Sequence, residues 1–309
     1  MIENKEGKVV KGLGGLYEIR LWDGERISCR AKGALRRDED KVLIGDNVTV
    51  RIDSDTQGSV VISEIHPRKN SLIRPPMANL DYLFIVMASA KPAPVLETVD
   101  KLISIAEYNN IKVALVITKN DLGAEEAQRL KGIYERSGYP AFVTGSYETE
   151  GVRELSAYID SHVREGRSAA FAGASGVGKS TLLNALFPTL SLATSEISRK
   201  IERGRHTTRH VEIFALSDTH DTGFFADTPG FSLLDFARFD FMPMEALLST
   251  FPDVARYADG CRFADCAHLG EGITECSVAR AAHEGTLEPT RLDSYRSILR
   301  VLKSKNRYE

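Results

Sequence analysis

The sequence predicts a multidomain chain. A β-barrel of the OB-fold kind covers residues 1–70, an α/β domain covers 71–234, and a mainly helical, metal-binding region covers 235–309. Three observations predict this. Five short β-type runs (KVVKGL, GLYEIRLW, ERISCRAKG, DNVTVRID, SVVISEI) fill the N-terminal part. Nearly all-apolar strands then alternate with amphipathic helices. Three of the four cysteines fall close together near the C-terminus, with a histidine among them.

Composition sets the bounds. The chain has 309 residues, 42% hydrophobic and 27% charged, as in an ordinary soluble protein. A net charge of −3 does not mark a nucleic-acid binder, so any such contact must use local basic patches. No run approaches the roughly 18 apolar residues of a membrane span. The N-terminus MIENKEGKVVKG lacks the apolar core of a signal peptide. A cytoplasmic protein is expected, with reduced cysteines. Cys29 stands apart and suggests no role.

In the barrel, Leu16, Tyr17, Ile19 and Leu21 mix with Glu18 and Arg20, near the period of a half-buried strand. Thirteen Lys/Arg against twelve Asp/Glu leave open whether this part binds a ligand or is accessory. The middle part begins with the buried strand YLFIVMA. A helix over 95–108 carries Val95, Val99, Leu102, Ile103 and Ala106 on one side. IKVALVIT is a second buried strand, 124–136 a helix, AFVT a strand and 151–164 a helix. AAFA leads into a glycine-rich loop and a helix stopped by Pro188. HVEIFAL and TGFFADT read as an antiparallel pair at the edge of a largely parallel sheet.

Gly173 to Ser180, GASGVGKS, fits G-x-x-x-x-G-K-[ST]. Gly173, Ala174, Ser175, Gly176, Val177 and Gly178 would wrap backbone N–H groups around phosphate oxygens. Lys179 would place its charge at the β- and γ-phosphates. The Ser180 hydroxyl suits Mg²⁺, with Thr181 beside it in a helical turn whose dipole favours anions. The strand before and the helix after favour this reading over an ordinary strand–turn–helix of small residues.

Asp227 to Gly230 fits D-x-x-G. Asp227 would hold Mg²⁺ through water, and the Gly230 N–H would sense the γ-phosphate. RGRHTTRH lies between the two motifs, where Thr207 or Thr208 would complete the Mg²⁺ shell unless the stretch is a basic solvent loop.

Thr118-Lys119-Asn120-Asp121 ends a buried strand. The Asp121 carboxylate, an acceptor only, can take N1–H and N2–H of guanine. Adenine would leave it unpaired, at roughly 1–3 kcal/mol. The Lys119 stem would cover the base. The more usual first residue is Asn, so the shorter Thr118 is expected to lose part of the bracing of the phosphate loop. Thr144, Gly145 and Ser146, ending the next strand, would give backbone contacts to the base. The cyclic order is base reader, phosphate loop, then Mg²⁺ and γ-phosphate segments. Linear GTPases begin with the phosphate loop, so 71–234 reads as a circularly permuted P-loop GTPase domain.

The permuted order, DTPGF, GRHTT, the barrel and the Cys/His cluster together resemble the ribosome small-subunit-dependent GTPase A (RsgA, or YjeQ) family over nearly the whole chain. The resemblance implies an OB-fold, a permuted GTPase domain and a zinc domain. It also implies GTP hydrolysis stimulated by the 30S subunit in late subunit maturation, with 16S rRNA as partner. No membrane is involved, and a monomer is expected.

Cys261, Cys266, His268 and Cys276 offer three thiolates and an imidazole, a closed set suited to one structural Zn²⁺. The family's gap between His and the last Cys is shorter than here, where GEGIT lengthens it, and His283 is a spare candidate. Basic residues gather at Arg199, Lys200, Arg203, Arg205 and Arg209. A second group, Arg291, Arg296, Arg300, Lys303, Lys305 and Arg307, accompanies Leu292, Tyr295, Leu299 and Leu302. That C-terminal group is a solvated helix face or, with rRNA as the implied partner, a phosphate-contacting one.

A phosphate loop alone also serves metabolic kinases, but these need no D-x-x-G, guanine reader or zinc domain. Phe231, after DTPG, cannot orient water, which keeps a non-hydrolysing nucleotide-binding scaffold in view. His206 is the nearest group able to exchange a proton and is the catalytic candidate. Its Gly- and Arg-rich surroundings predict a loop ordered by a partner.

Overall fold

The structure, a computed structural model, describes residues 2–36, 41–53, 59–145, 150–188, 211–217, 219, 222–227, 236 and 238–305. Two compact units share the chain: residues 1–82, 156–171 and 182–230 in the first, and 83–155, 172–181 and 231–309 in the second.

Within the first unit, β1 (Ile2–Leu13), β2 (Leu16–Leu21), β3 (Arg26–Ala31), β4 (Asn47–Asp53) and β5 (Ser59–Ile65) close into a barrel in the order β1-β2-β3-β5-β4. Only β3 and β5 pair in parallel. Alternation explains the core. Ile19 and Leu21, Cys29 and Ala31, and Val48 and Val50 each sit two apart on one strand and point inward with Val9 and Ile62. Cys29 is thus a core residue, and burial pushes its thiol up to about 11. A side chain at Gly7 would meet the Arg20 carbonyl at 2.5 Å, so this crossing of β1 and β2 requires glycine. A small hairpin, β6 (Ser71–Leu72) and β7 (Met77–Ala78), follows.

The central sheet contains β8 (Tyr82–Ala88), β9 (Lys112–Thr118), β10 (Ala141–Val143), β11 (Ser168–Ala172), β12 (Glu212–Ala215) and β13 (Phe224–Asp227). Its order is β10-β9-β8-β11-β13-β12. β9–β10 and β11–β13 are parallel, and β12–β13 is the antiparallel edge pair expected from the sequence. The central strands β8, β9 and β11 are almost wholly buried and largely apolar because both faces are covered. The interleaved helices are α1 (Leu96–Tyr108), α2 (Ala124–Arg136), α3 (Glu150–His162) and α4 (Lys179–Leu186).

In the first unit the barrel carries cations onto β13. Lys8 and Arg20 lie 5.5 and 5.9 Å from the centroid of the buried Phe224 ring, and Trp22 meets it edge-on. Lys11 pairs with Glu212 of β12 at 3.0 Å.

The second unit ends in two short helices, α5 (Pro252–Ala255) and α6 (Ser277–His283), and a longer one, α7 (Pro289–Lys305). Helical spacing buries Leu292, Tyr295, Ile298, Leu299 and Leu302 of α7. Arg291 departs from its reading as a phosphate-contacting side chain. It is 0% exposed and donates to Asp100 at 2.6 Å and to Asp253 at 2.8 and 3.0 Å. Two buried carboxylates need a guanidinium, and a fork of donors serves both. Its plane also lies 4.6 Å from the Phe251 ring. Arg296 donates to the His268 carbonyl at 2.6 Å, and Lys305 pairs with Asp240. Arg300 and Lys303 are exposed. No described helix is long and apolar enough to cross a membrane.

Candidate functional site

The phosphate-loop motif follows β11 directly and opens α4. Its glycines are conformational requirements. Gly173 has φ +139°, and a Cβ there would lie 2.1 Å from the Val86 carbonyl of β8. Gly176 and Gly178 have φ +78° and +100°. Val177 is buried and pins the loop, while Ala174, Ser175, Gly176, Ser180 and Thr181 are exposed. Lys179 Nζ lies 2.7 Å from both the Gly173 and Ala174 carbonyls, so the ammonium is folded across its own loop.

The base-reader motif reaches the same loop. Thr118 Oγ1 lies 2.5 Å from the Val177 carbonyl and 3.2 Å from that of Met87. Bracing from the end of β9 is thus present despite the shorter side chain, since the buried Thr118 hydroxyl ties the strand to the loop. Lys119 is left-handed, with φ 60° and ψ 35°, at a cost of about 1–2 kcal/mol for a residue with a Cβ. Its ammonium donates to the Gly176 carbonyl at 2.8 Å and to that of Lys91. The lysine stem thus spans from the reader to the loop. Asp121 is exposed in the turn Asn120–Leu122. Thr144 is buried; its N–H bonds Ile117 O at 2.8 Å, and its carbonyl accepts from Asn120 N–H at 3.1 Å. Gly145 follows it.

Thr118, Lys119, Gly176 and Val177 are therefore brought together by direct bonds. Asp227 ends β13, and its side chain is not described. Ser146, His206, Thr207, Thr208 and Gly230 lie outside the described residues, as does the basic group Arg199 to Arg209. The sequence reading missed the segment after β8. Ser89 donates to the Lys119 carbonyl at 2.8 Å, and Lys91 presents its carbonyl to Lys119. No motif marks either residue, since both lie about thirty positions from the reader.

The cysteine cluster assembles in the second unit. The ligand atoms of Cys261, Cys266, His268 and Cys276 all lie within 4.8 Å of one another. His268 Nδ1 is 3.6, 3.4 and 3.5 Å from the three sulfurs, and Cys261 and Cys276 Sγ are 3.9 Å apart. A tetrahedral ion with ordinary sulfur and nitrogen bonds has S···N edges of about 3.6 Å and S···S edges of about 3.8 Å. The donor set fits a metal ion. The lengthened gap does not displace Cys276, because its extra residues are taken up in the exposed stretch 272–274, and Cys276 caps α6 by accepting from Ala279 N–H. His283 is outside the cluster. Burial lowers the His268 pKa and so favours the neutral imidazole a metal needs. Burial also pushes the Cys266 thiol up to about 12, which a bound cation would reverse.

These parts have known counterparts. Residues 65–237 match the RsgA GTPase family model, and 6–60 match the RsgA N-terminal domain. The small ribosomal subunit biogenesis GTPase RsgA of Alkaliphilus metalliredigens is 39% identical over 98% of this chain and 99% of its own. That of Caldanaerobacter subterraneus is 38% identical over 99% and 98%. The crystal structure of YloQ, a circularly permuted GTPase, superposes with a TM-score of 0.76 at 30% identity, covering 98% of this chain and 96% of that one. YjeQ from Thermotoga maritima gives 0.77 at 30% identity, covering 97% and 99%. With a barrel, a permuted sheet and a phosphate loop in the same order along the full length, the chain belongs to the RsgA GTPase family.

Proposed function

We propose that this GTPase acts in maturation of the small ribosomal subunit, and that docking on the 30S subunit through 16S rRNA stimulates its hydrolysis of GTP to GDP and phosphate. The observation that carries the nucleotide site is the Thr118 hydroxyl on the Val177 carbonyl at 2.5 Å, which joins a guanine reader to a phosphate loop. The ribosomal role rests on full-length similarity to small ribosomal subunit biogenesis GTPases.

In this reading Asp121 accepts from guanine, Lys119 covers the base, and Thr144, Gly145 and Ser146 flank it. Gly173 to Gly178, Lys179 and Thr181 surround the phosphates. Ser180, with Asp227 and Thr207 or Thr208, holds Mg²⁺, and the Gly230 N–H meets the γ-phosphate. When bound, Mg²⁺ would supply charge neutralisation at the phosphates. His206 orients the attacking water. Cys261, Cys266, His268 and Cys276 hold one structural Zn²⁺, and exposed Arg300 and Lys303 are available for RNA phosphates. The working divisions are an OB-fold over 1–70, a GTPase domain over 71–234 and a zinc domain over 235–309. The protein works as a cytoplasmic monomer.

Phosphate release from GTP, with and without purified 30S subunits, tests the whole. Strong stimulation by 30S, absent with ATP, is expected. Hydrolysis unaffected by 30S would refute the ribosomal part, and no hydrolysis under either condition would indicate a scaffold.

A further inference from the structure

Lys119 holds a left-handed backbone although it has a side chain, so something must keep it there. Its carbonyl accepts two bonds, from Leu122 N–H at 2.9 Å and from the Ser89 hydroxyl at 2.8 Å. The first lies within the turn itself. The second comes from the end of β8, where Ser89 is 4% exposed and its own N–H is fixed to the Thr118 carbonyl at 2.9 Å. The hydroxyl therefore arrives from a strand that is already ordered. A Cβ at Gly123 would stand 3.3 Å from it, so glycine at that position leaves the hydroxyl its place. Asp121 lies two residues beyond Lys119 in the same turn.

We propose that Ser89 is a positioning residue for guanine specificity. It fixes the Lys119 turn from outside the motif and thereby aims the Asp121 carboxylate. This rests on the reading of Asp121 as the guanine acceptor. The Ser89 hydroxyl is engaged by the Lys119 carbonyl, so its effect is on discrimination by Asp121 and not on phosphate binding. The group Asp121 reads most selectively is the 2-amino of guanine, which hypoxanthine lacks.

Calorimetry of the full chain with GDP and with inosine diphosphate tests this. The wild type is expected to prefer GDP. Ser89→Ala is expected to shrink that preference about five-fold, the effect of one net hydrogen bond, and Ser89→Thr to restore it. A Ser89→Ala protein with native circular dichroism and an unchanged preference would overturn the proposal. So would a loss that Ser89→Thr does not restore, since packing and not the hydroxyl would then be responsible. Should Ser89→Ala fail to fold, Ser89→Cys keeps the size with a weak donor. An intermediate preference supports the proposal, and a wild-type preference overturns it. If the wild type itself does not distinguish GDP from inosine diphosphate or ADP, the guanine reading of Asp121 fails first.

Discussion

Arg291 on α7 donates to Asp100 on α1 at 2.6 Å, and neither side chain reaches water. Asp253 completes the set, so one guanidinium answers two carboxylates. Arg291→Met would leave both charges buried without a cation, and a loss of about 3–5 kcal/mol in stability is expected. Urea denaturation followed by circular dichroism reads it. A change below about 1 kcal/mol would mean that the pair is dispensable. Replacing all three residues by apolar ones of similar volume should recover most of the loss.

Asp121→Asn should weaken GTP binding and favour xanthine nucleotides. An amide can donate to the 2-oxo group where a carboxylate can only accept. Calorimetry with GDP and xanthosine diphosphate checks this. An unchanged GDP affinity would remove Asp121 from the base site.

One zinc ion per chain is expected in protein purified without chelator. Cys276→Ser should lose it as fully as Cys266→Ala, because both sulfurs lie within 3.5 Å of His268 Nδ1. His283→Ala should keep it. Since structural zinc contributes on the order of 10 kcal/mol to folding of small domains, the cysteine variants should melt earlier near the C-terminus. Elemental analysis finding no zinc in the wild type would count against the site.

Lys8 predicts a pH dependence. Burial pushes its ammonium from its ordinary value of 10.5 down to about 8, and the Asp81 and Asp46 carboxylates, a 3.4 Å bond to the Gly45 carbonyl and the Phe224 ring offset this only in part. Between these values the unfolded chain holds more protons than the folded one, so this group's contribution to stability rises with pH across that window. Below pH 8 the full penalty, about 3 kcal/mol, is present. Lys8→Met should therefore be more stable than wild type at pH 7, and the difference should fade toward pH 10.5. Fluorescence of Trp22, the only tryptophan, reports it in urea. An equal gain at both pH values would assign the effect to packing.

His206→Ala should keep GTP and 30S binding but lose most of the subunit-stimulated hydrolysis, with little change in the basal rate. General-base or water-orienting groups of this kind contribute about 10²–10⁴-fold. Single-turnover phosphate release on 30S checks it. Wild-type stimulation would hand the water to another side chain or to the rRNA.

Legibility in the sequence followed the range of the interaction. The strand Tyr82–Ala88 and the helix Ala124–Arg136 match their expected bounds, because local apolar patterning determines both. The barrel strands were readable, but their closure through a parallel β3–β5 pair was not, since pairing between distant strands leaves no local mark. The glycine loop and the cysteine cluster carried their chemistry in their spacing. Arg291 was misread because its charge is visible in sequence while its partner is 191 residues away. The Thr118 bond to the loop was not readable because side-chain length says nothing of how near the Val177 carbonyl, 59 residues away, comes to it. Ser89 was invisible for the reason Arg291 was: a single hydroxyl has meaning only beside the carbonyl it meets.

The same 191-residue separation sets a timetable during synthesis. At roughly 5–20 residues per second, Asp100 is added to the chain about 10–40 s before Arg291. Until then α1 carries a carboxylate destined for the interior with no cation to accompany it there. The early segments can form strands and turns, but this face of α1 can seal only when the last helix emerges. A chain truncated before Arg291 is therefore left with an open seam at α1, which quality-control proteases could recognise.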